Sequence, residues 1–438
     1  MINVISIILG KAIIFLSNTL NLGSGSTWPG HIALSINPNF IKDILRSHME
    51  SGKLKVIIIA GTNGKTTTGR LVTSIIRENG KTYLQNKAGA NLINGLASAI
   101  IKGASIFSLA RRDPGRLNQD YLIFESDENA LPEVLQQTNP DYVIVLNLFR
   151  DQLDRYGEVN TIAKKWQKAF EKLDNKTVLI LNTDDPQVSF LSKKTNAKVL
   201  FFGLDKTNGE NKLKHGADSI YCPKCFHMLD FTEVHFSHLG SWSCTNCNLK
   251  RPKPDLSNLS YYPLPGTYNK YNSLAAALFA KAEKISSKKV KKAFKSFTPA
   301  FGRQEKIKYK GRYVQLFLSK NPTSFNESLS TVKELGGKNF LLVLNDRIPD
   351  GLDVSWIWDI NFEEILDKNF NITVAGDRCY DMGLRLKYAE FFTHIEPDLR
   401  KALDHAVENI SSEQVLYILP NYSSMLEIRK ILTGRKIL

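Results

Sequence analysis

A chain of 438 residues, 42% hydrophobic and 23% charged, has the composition of a globular protein with room for two or three cores, which excludes a disordered class. Its formal net charge of +15 at pH 7 calls for an anionic partner: a nucleotide, a nucleic acid or the surface of an anionic membrane. Four of its five cysteines fall in two C-x-x-C pairs, and nothing else in the chain suggests secretion, so a reducing cytosol is expected and disulfides are not.

In chain order, MINVISIILGKAIIFLSNTLN comes first. Lys11 interrupts it, the apolar stretches on either side are too short to span a bilayer, and no small-residue cleavage site stands out. It reads as a helix that is either buried against the protein or lies on a membrane surface. Gly23 to Gly30 reads as a loop and Ile41 to Met49 as a short helix, completing an N-terminal helical segment over residues 1–50. Apolar, β-branched runs at Val56 to Ala60, Tyr121 to Glu125, Tyr142 to Leu146 and Val178 to Leu181 then alternate with helical patterns, which predicts a parallel α/β sheet in a domain over 51–300. Within it, residues 204–254 change to Lys, His, Cys and aromatics and carry Cys222/Cys225 and Cys244/Cys247, separated by a spacer of 18 residues. That spacing predicts an inserted zinc ribbon whose four thiolates leave no open coordination position, hence a structural Zn2+. His227, His235 and His238 read as ordinary surface or loop histidines. Helices are expected at Asn272 to Glu283 and Lys288 to Phe297. Strands at Tyr313 to Leu318, Phe340 to Asn345, Ile372 to Ala375 and Val415 to Ile418 predict a smaller, Rossmann-like α/β domain over 301–438.

The most informative segment is IIIAGTNGKTTTGRL, Ile57 to Leu71, a glycine-rich turn between a strand and a helix. Gly61 and Gly64 let backbone N–H groups close around phosphate oxygens, Lys65 supplies a point charge, and the Thr66 hydroxyl suits Mg2+; Thr62, Asn63 and Thr67 complete the loop. ATP is the implied ligand. The first glycine of the general P-loop pattern would fall at Ile59, so this is the compact GTNGKT form.

GTNGKTTT, followed by FESDE (Phe124 to Glu128), LNLFRDQLDRYGE (Leu146 to Glu158), LNTDDP (Leu181 to Pro186) and GTYNKYNSLAAA (Gly266 to Ala277), resembles the ATPase domain of the Mur ligases, a family that includes folylpolyglutamate synthase. The resemblance implies activation of a carboxylate by ATP to an acyl phosphate, which an amine then attacks. The four-cysteine insertion, LNDRIPDGLDVSWIWD (Leu344 to Asp359) and GDRCYDMGLRLKYA (Gly376 to Ala389) look like the branch of the family that amidates lipid II. That likeness implies conversion of the stem-peptide D-glutamate to D-isoglutamine with ammonia from a GatD-type glutaminase subunit. It also implies a heterodimer, a cytoplasmic place at the inner face of the membrane, and no nucleic-acid partner. Cys379 stands alone, so no cysteine-histidine pair for glutamine hydrolysis is evident here. Only about fifty residues precede the phosphate loop, where most Mur ligases carry a domain for a UDP-linked precursor.

By resemblance, Glu125 contacts magnesium from the carboxyl end of its strand, with Asp127 and Glu128 as rivals. Asn269 and Asn272 reach the nucleotide, or else cap a helix, and Asp184 lies on a loop near the base. Arg303 approaches the γ-phosphate. Asn147, Asp151 and Asp154 match the signature N-x-x-x-D-H-L-D, while Gln152 replaces a histidine that is a metal ligand in the family. Asp353 is implied to cross a subunit interface and orient a histidine of the glutaminase; by local sequence alone it is a turn residue beside Asp350-Gly351. Trp356 and Trp358 read as core or interface aromatics. Two rival functions remain: a Mur or folylpolyglutamate-type ligase using an amino acid as nucleophile, and a zinc-ribbon ATPase that binds nucleic acid.

Overall fold

A computed structural model of the chain describes residues 2–19, 27–50, 53–86, 89–105, 117–150, 159–205, 213 and 217–434. The chain begins with three helices, α1 (Ile2–Thr19), α2 (Trp28–Ile36) and α3 (Phe40–Glu50). β1 (Lys55–Ala60) follows and is buried from Val56 onward, because a strand covered on both faces must be apolar without alternation. It is the pivot of a six-stranded, all-parallel sheet in the order β2-β3-β1-β4-β5-β6. After α4 (Lys65–Glu78), β2 (Tyr83–Gln85) lies to one side, and after α5 (Ile93–Gly103), β3 (Tyr121–Ser126) returns to pair with β1. α6 (Leu131–Thr138) leads to β4 (Tyr142–Val145) on the other side. The direction of winding therefore reverses at β1, and a crevice opens at the carboxyl ends there.

The sheet continues through α7 (Val159–Phe170), β5 (Val178–Asn182), α8 (Pro186–Phe190) and β6 (Lys198–Phe202). Val56, Ile58, Leu122 and Phe124 face a core closed by α5, α6 and α7, behind which the three N-terminal helices pack. Ile57, Ile59, Ile123 and Ile144 face the opposite core, covered by α4, α9 (Thr267–Ala282) and α10 (Ser287–Lys295). Between β6 and α9 an antiparallel hairpin, β7 (Asp230–Phe236) and β8 (Leu239–Ser243), rests on the carboxyl end of β5.

A second six-stranded sheet, in the order β13-β12-β11-β14-β10-β9, is parallel apart from its edge strand β9. It comprises β9 (Arg303–Tyr309), β10 (Arg312–Phe317), β11 (Asn339–Val343), β12 (Asn371–Ala375), β13 (His394–Ile395) and β14 (Val415–Pro420). One face packs on α11 (Pro322–Glu334), a 3-10 turn at Ser355–Asp359, α12 (Phe362–Ile365) and α13 (Cys379–Tyr388); the other packs on α14 (Leu399–Glu408) and α15 (Tyr422–Thr433). Among the described residues no helix is long and apolar enough to cross a membrane.

The long apolar strands stand where the sequence places them. The short or polar ones, β2, β9, β13 and the hairpin, carry no long apolar run and become legible only through their partners; β6 does carry one, Val199 to Phe202, which the sequence analysis leaves unassigned. Gly23 to Gly30 is corrected in part: residues 23–26 lie outside the described residues, but Trp28-Pro29-Gly30 is the first turn of α2. Pro29 presets the helical φ there, and Gly30 is required because a Cβ would stand 1.9 Å from the Asn94 carbonyl.

Glu283, at the end of α9, ties that helix to the base of the sheet. Its carboxylate accepts hydrogen bonds from Lys55 Nζ at 2.7 Å, from Tyr121 at 2.6 Å and from the Tyr142 hydroxyl. Burial alone would raise its pKa, but these three donors prevail and hold it below its ordinary value. A carboxylate so depressed stabilises the fold above its unfolded pKa, and that contribution is lost as pH falls through the folded one. Glu283→Gln is expected to cost about 1–3 kcal/mol at pH 7. In urea titrations run across pH, the gap to the parent should close as pH falls below the ordinary carboxylate range.

Candidate active site

The phosphate loop is held from both sides. Gly61 (φ 136°) and Gly64 (φ 91°) adopt left-handed backbone, and a Cβ on Gly64 would lie 2.2 Å from Asn272 Oδ1. Asn147 clasps the loop by accepting from Asn63 N–H at 2.9 Å and donating to the Asn63 carbonyl at 3.0 Å. The Thr62 hydroxyl donates to the Phe149 carbonyl at 3.1 Å. Lys65 folds inward, its ammonium donating to the Gly61 carbonyl and lying 3.4 Å from Glu128 Oε2.

Opposite the loop, Glu125 near the end of β3 is 1% exposed. It accepts from the Thr66 hydroxyl at 2.7 Å and from Gln85 Nε2 at 3.0 Å. Asn86 brackets its backbone, accepting from the Glu125 N–H at 2.9 Å and donating to its carbonyl at 3.0 Å. Burial pushes the carboxyl of Glu125 above its ordinary pKa, against the pull of Thr66, Arg303 and Lys65. Arg303 comes from the second sheet, and burial lowers its own pKa against the opposing charge of Glu125. Glu128 differs: burial would raise it, but the charges of Lys65 and Lys320 prevail and hold it low. Asp127 is raised by its own burial and by its neighbour Glu128. Carboxylates and a threonine hydroxyl are a hard oxygen donor set, which fits Mg2+. Trp166 secures the stretch by donating to the Glu128 carbonyl at 2.7 Å.

A pocket between the two sheets runs from this loop past Asn269, Asn272 and Tyr268 to Arg303 and to Ser324 on α11. The asparagines are not N-caps. The cap of α9 is Gly266, and both asparagines sit within the helix, where Asn272 donates to Asn269 at 3.2 Å and accepts from Thr68 at 3.3 Å. Thr67 lines the same pocket. So does Phe236, at the end of β7, which the sequence reading missed.

Three expectations change. Asp184 is not on the wall of this pocket: it is fully buried, bound by Arg251, by Tyr271 at 2.7 Å and by the Leu204 N–H at 2.9 Å. The turn after β5 folds inward beneath the hairpin, so this carboxylate joins the ribbon to the sheet. His235 and His238 are not surface residues. Their rings lie 3.7 Å from Asp184 and 3.4 Å from Asp185, with almost no exposure; His227 is exposed. Asp151, Gln152 and Asp154 lie outside the described residues.

The four sulfurs of Cys222, Cys225, Cys244 and Cys247 lie within 4.8 Å of one another, with Cys222–Cys247 at 3.6 Å and Cys225–Cys244 at 3.5 Å. A tetrahedron with Zn–S bonds of about 2.3 Å requires sulfurs about 3.8 Å apart, so the set fits zinc. The two knuckles are alike: each turns through a left-handed residue after its second cysteine, Phe226 (φ 61°) and Asn248 (φ 57°). Cys379 is buried and separate. Asp353 lies away from the pocket in the loop after β11. It accepts from the Ser355 N–H at 2.8 Å, which pulls its pKa down, and its carboxylate stays exposed. Ile348 and Leu352 in the same loop, and Trp358 just beyond, are 80%, 70% and 48% exposed.

A phosphate loop facing buried acids, closed by a cation from a second α/β domain, defines an ATP-dependent ligase, and comparison agrees. Residues 59–280 match the family model of the Mur ligase middle domain, and residues 318–425 match that of the MurT ligase C-terminal domain. The fold is that of a pseudomurein peptide ligase type C from Methanothermus fervidus (TM-score 0.66, 22% identity, 87% of this chain and 79% of that one). A MurF from Acinetobacter baumannii shares it too (TM-score 0.64, 18% identity, 92% and 80%). The chain belongs to the Mur ligase superfamily. Across 95% of its length and 94% of the relative's, it is 32% identical to the MurT subunit of lipid II isoglutaminyl synthase (glutamine-hydrolyzing) from Streptococcus pneumoniae. The same subunit from Staphylococcus aureus is 31% identical over 92% of this chain and 91% of its own. Within the superfamily, the chain is a member of the MurT family.

Gly64→Ala places a methyl group against Asn272 in a backbone region that alanine disfavours. It should lower ATP affinity at least about tenfold, read by calorimetry, with a loss of about 1–3 kcal/mol in stability.

Proposed function

We propose that this chain is the synthetase subunit of a lipid II isoglutaminyl synthase. A carboxylate oxygen of the stem-peptide D-glutamate attacks the γ-phosphorus of ATP, ADP leaves, and an acyl phosphate remains. Ammonia then attacks the acyl carbon, phosphate departs, and loss of a proton gives the D-isoglutamine amide. The observation that carries this reading is the meeting of Lys65, Thr66, Glu125 and Arg303 at one inter-domain cleft, in a chain of the MurT family.

In this reading Gly61 to Thr67 cradle the phosphates, with Lys65 leaving its internal carbonyl partner to bind them. Arg303 balances charge on the transferring phosphoryl group. Thr66 and Glu125 hold Mg2+, which supplies charge neutralisation when bound. Glu128, already paired with Lys65, fixes that ammonium when no phosphate is present. Asn269 and Asn272 set the wall on which the nucleotide lies. Phe236 offers it an apolar surface, and Zn2+ on the four cysteines keeps the hairpin bearing Phe236 in place.

Ammonia comes from a GatD-type glutaminase subunit. Asp353 serves that subunit: an exposed carboxylate with a lowered pKa, in a stretch of chain that also exposes Ile348, Leu352 and Trp358, suits orientation of a partner's imidazole within a contact that buries those side chains. Its hydrogen bond to Ser355 makes it a turn residue as well, and the two roles are compatible. Lipid II places the enzyme at the inner face of the membrane.

Mass spectrometry of lipid II after incubation with ATP, Mg2+ and ammonium tests the reading. A loss of about one mass unit on the glutamate, abolished by Lys65→Ala, is expected. Asp353→Asn should reduce glutamine-driven amidation at least about a hundredfold while leaving ammonium-driven amidation intact; equal loss of both would refute its role at the interface. ATP turnover that depends on an added amino acid, with lipid II unchanged, would instead indicate a conventional ligase.

Elemental analysis should find one zinc per chain, removed in Cys244→Ser. Because the hairpin lines the pocket, that variant should also bind ATP more weakly, by about tenfold or less.

A further inference from the structure

Helix α1 packs by one face only. Ser6, Ile7 and Gly10 are buried, and Gly10 lies so close to α5 that a Cβ would meet the Ile101 side chain at 2.9 Å. Ile2, Ile5, Ile8, Leu9, Phe15 and Leu16 are 43–69% exposed. At 100° per residue they fall within one arc of about 140°, so they form an unbroken apolar stripe along a helix about 27 Å long. Isolated exposed apolar residues need no explanation, but a continuous stripe does.

The composition around the stripe selects its partner. Neither α1 nor α2 contains an acidic residue. Lys11 borders the stripe, its ammonium 3.4 Å from the Lys102 carbonyl, placed as a snorkelling lysine stands at a headgroup layer. Trp28, at the start of α2, is 67% exposed, the residue type favoured where one side is apolar and the other wet. Because the opposite face of α1 is held by protein, the helix cannot cross a bilayer; it can only lie in the plane of one.

The stripe is also mechanically continuous with the site. The Gly30 N–H of α2 donates to Ser98 on α5 at 2.8 Å. Just before α5, Asn86 brackets Glu125, and the Asn91 carbonyl accepts from the Asp127 N–H at 3.0 Å. A groove beside α2 and the start of α6 is lined by His31, Asn94 and Asn129 and by Asp127. We infer that the α1 stripe is an interfacial anchor on an anionic phospholipid bilayer, and that the groove below it leads the headgroup side of a lipid-linked substrate toward the acidic end of β3. This inference rests on the lipid-linked substrate proposed above.

Flotation of the full chain with vesicles tests it. Wild type should float with phosphatidylglycerol-containing vesicles and less with pure phosphatidylcholine. Ile8→Glu/Phe15→Glu, both at exposed positions, should lower partitioning at least about tenfold with unchanged melting and ATP binding. The variant should also amidate detergent-dispersed lipid II normally but lose at least about fivefold on vesicle-embedded lipid II. Equal flotation of variant and wild type overturns the anchor. So does a wild type of twice the monomer mass that becomes monomeric in the variant while neither floats, which assigns the stripe to a second copy. Failure of wild type to amidate lipid II even in detergent would remove the proposed function instead, and flotation would still decide the anchor.

Discussion

The site depends on burying Glu125 at the junction of two sheets. A carboxylate taken out of water without partners costs several kcal/mol, and this one is 1% exposed. Its compensation comes from three separate parts of the chain: Thr66 on the phosphate loop, Gln85 on the edge strand β2, and the charge of Arg303 from the second domain. Each partner is thereby drawn to the same point. The burial that is costly for the fold also removes water from the place where phosphoryl charge would develop, which strengthens every electrostatic interaction there.

A second buried carboxylate, Asp184, plays the corresponding structural part on the other flank. Arg251 near the end of the ribbon, Tyr271 on α9 and the Leu204 backbone converge on it, while Asp185 caps α8 and accepts from the Leu148 N–H at 2.8 Å. Leu148 follows Asn147, the residue that clasps the phosphate loop. The ribbon, α9 and the loop are therefore linked through adjacent aspartates. The four-cysteine cluster closes the two ends of the hairpin that carries Phe236, so the ribbon reaches the pocket through that side chain.

The phosphate loop was legible because its local chemistry is self-sufficient: a strand apolar on both faces, glycines where φ must be positive, and a lysine and threonine at the helix start. Strand-end position alone did not separate Glu125 from Asp127 and Glu128; the family resemblance singled it out, and its side chain is the one that accepts from Thr66. What failed was direction. In NTDDP the sequence does not say that both aspartates turn inward, because the partner that requires it, Arg251, lies 67 residues away. His235 and His238 looked like loop residues for the same reason. One signal could have helped. Val234 to Phe236 alternates as a half-buried strand does, which would have suggested a hairpin and turned Phe236 toward protein. Likewise α2 was hidden because Gly30 looks like a loop residue until α5 is seen to press against it.

The linker into the second domain shows how Arg303 reaches its place. Gly302 (φ 66°) and Gln304 (φ 64°) flank it, both in left-handed backbone, and for glutamine that conformation costs on the order of 1 kcal/mol. The cost is met locally. Gln304 is 5% exposed, and its side-chain amide donates to Tyr268 at 2.6 Å and to the Pro265 carbonyl at 3.2 Å, both on the first domain. On the near side of the linker, Arg70 of α4 donates to the Pro299 carbonyl at 2.7 Å. Arg303 is thus clamped between contacts that both belong to the nucleotide domain, although its own strand belongs to the other sheet. A guanidinium held this way approaches the phosphate loop without a flexible search, so the strain at Gln304 contributes to preorganisation. The two domains also touch where Asn321 donates to Asn63 at 3.4 Å and where Arg150 pairs with Asp359 at 3.3 Å, so the pocket that Arg303 enters lies within an interface held at several points.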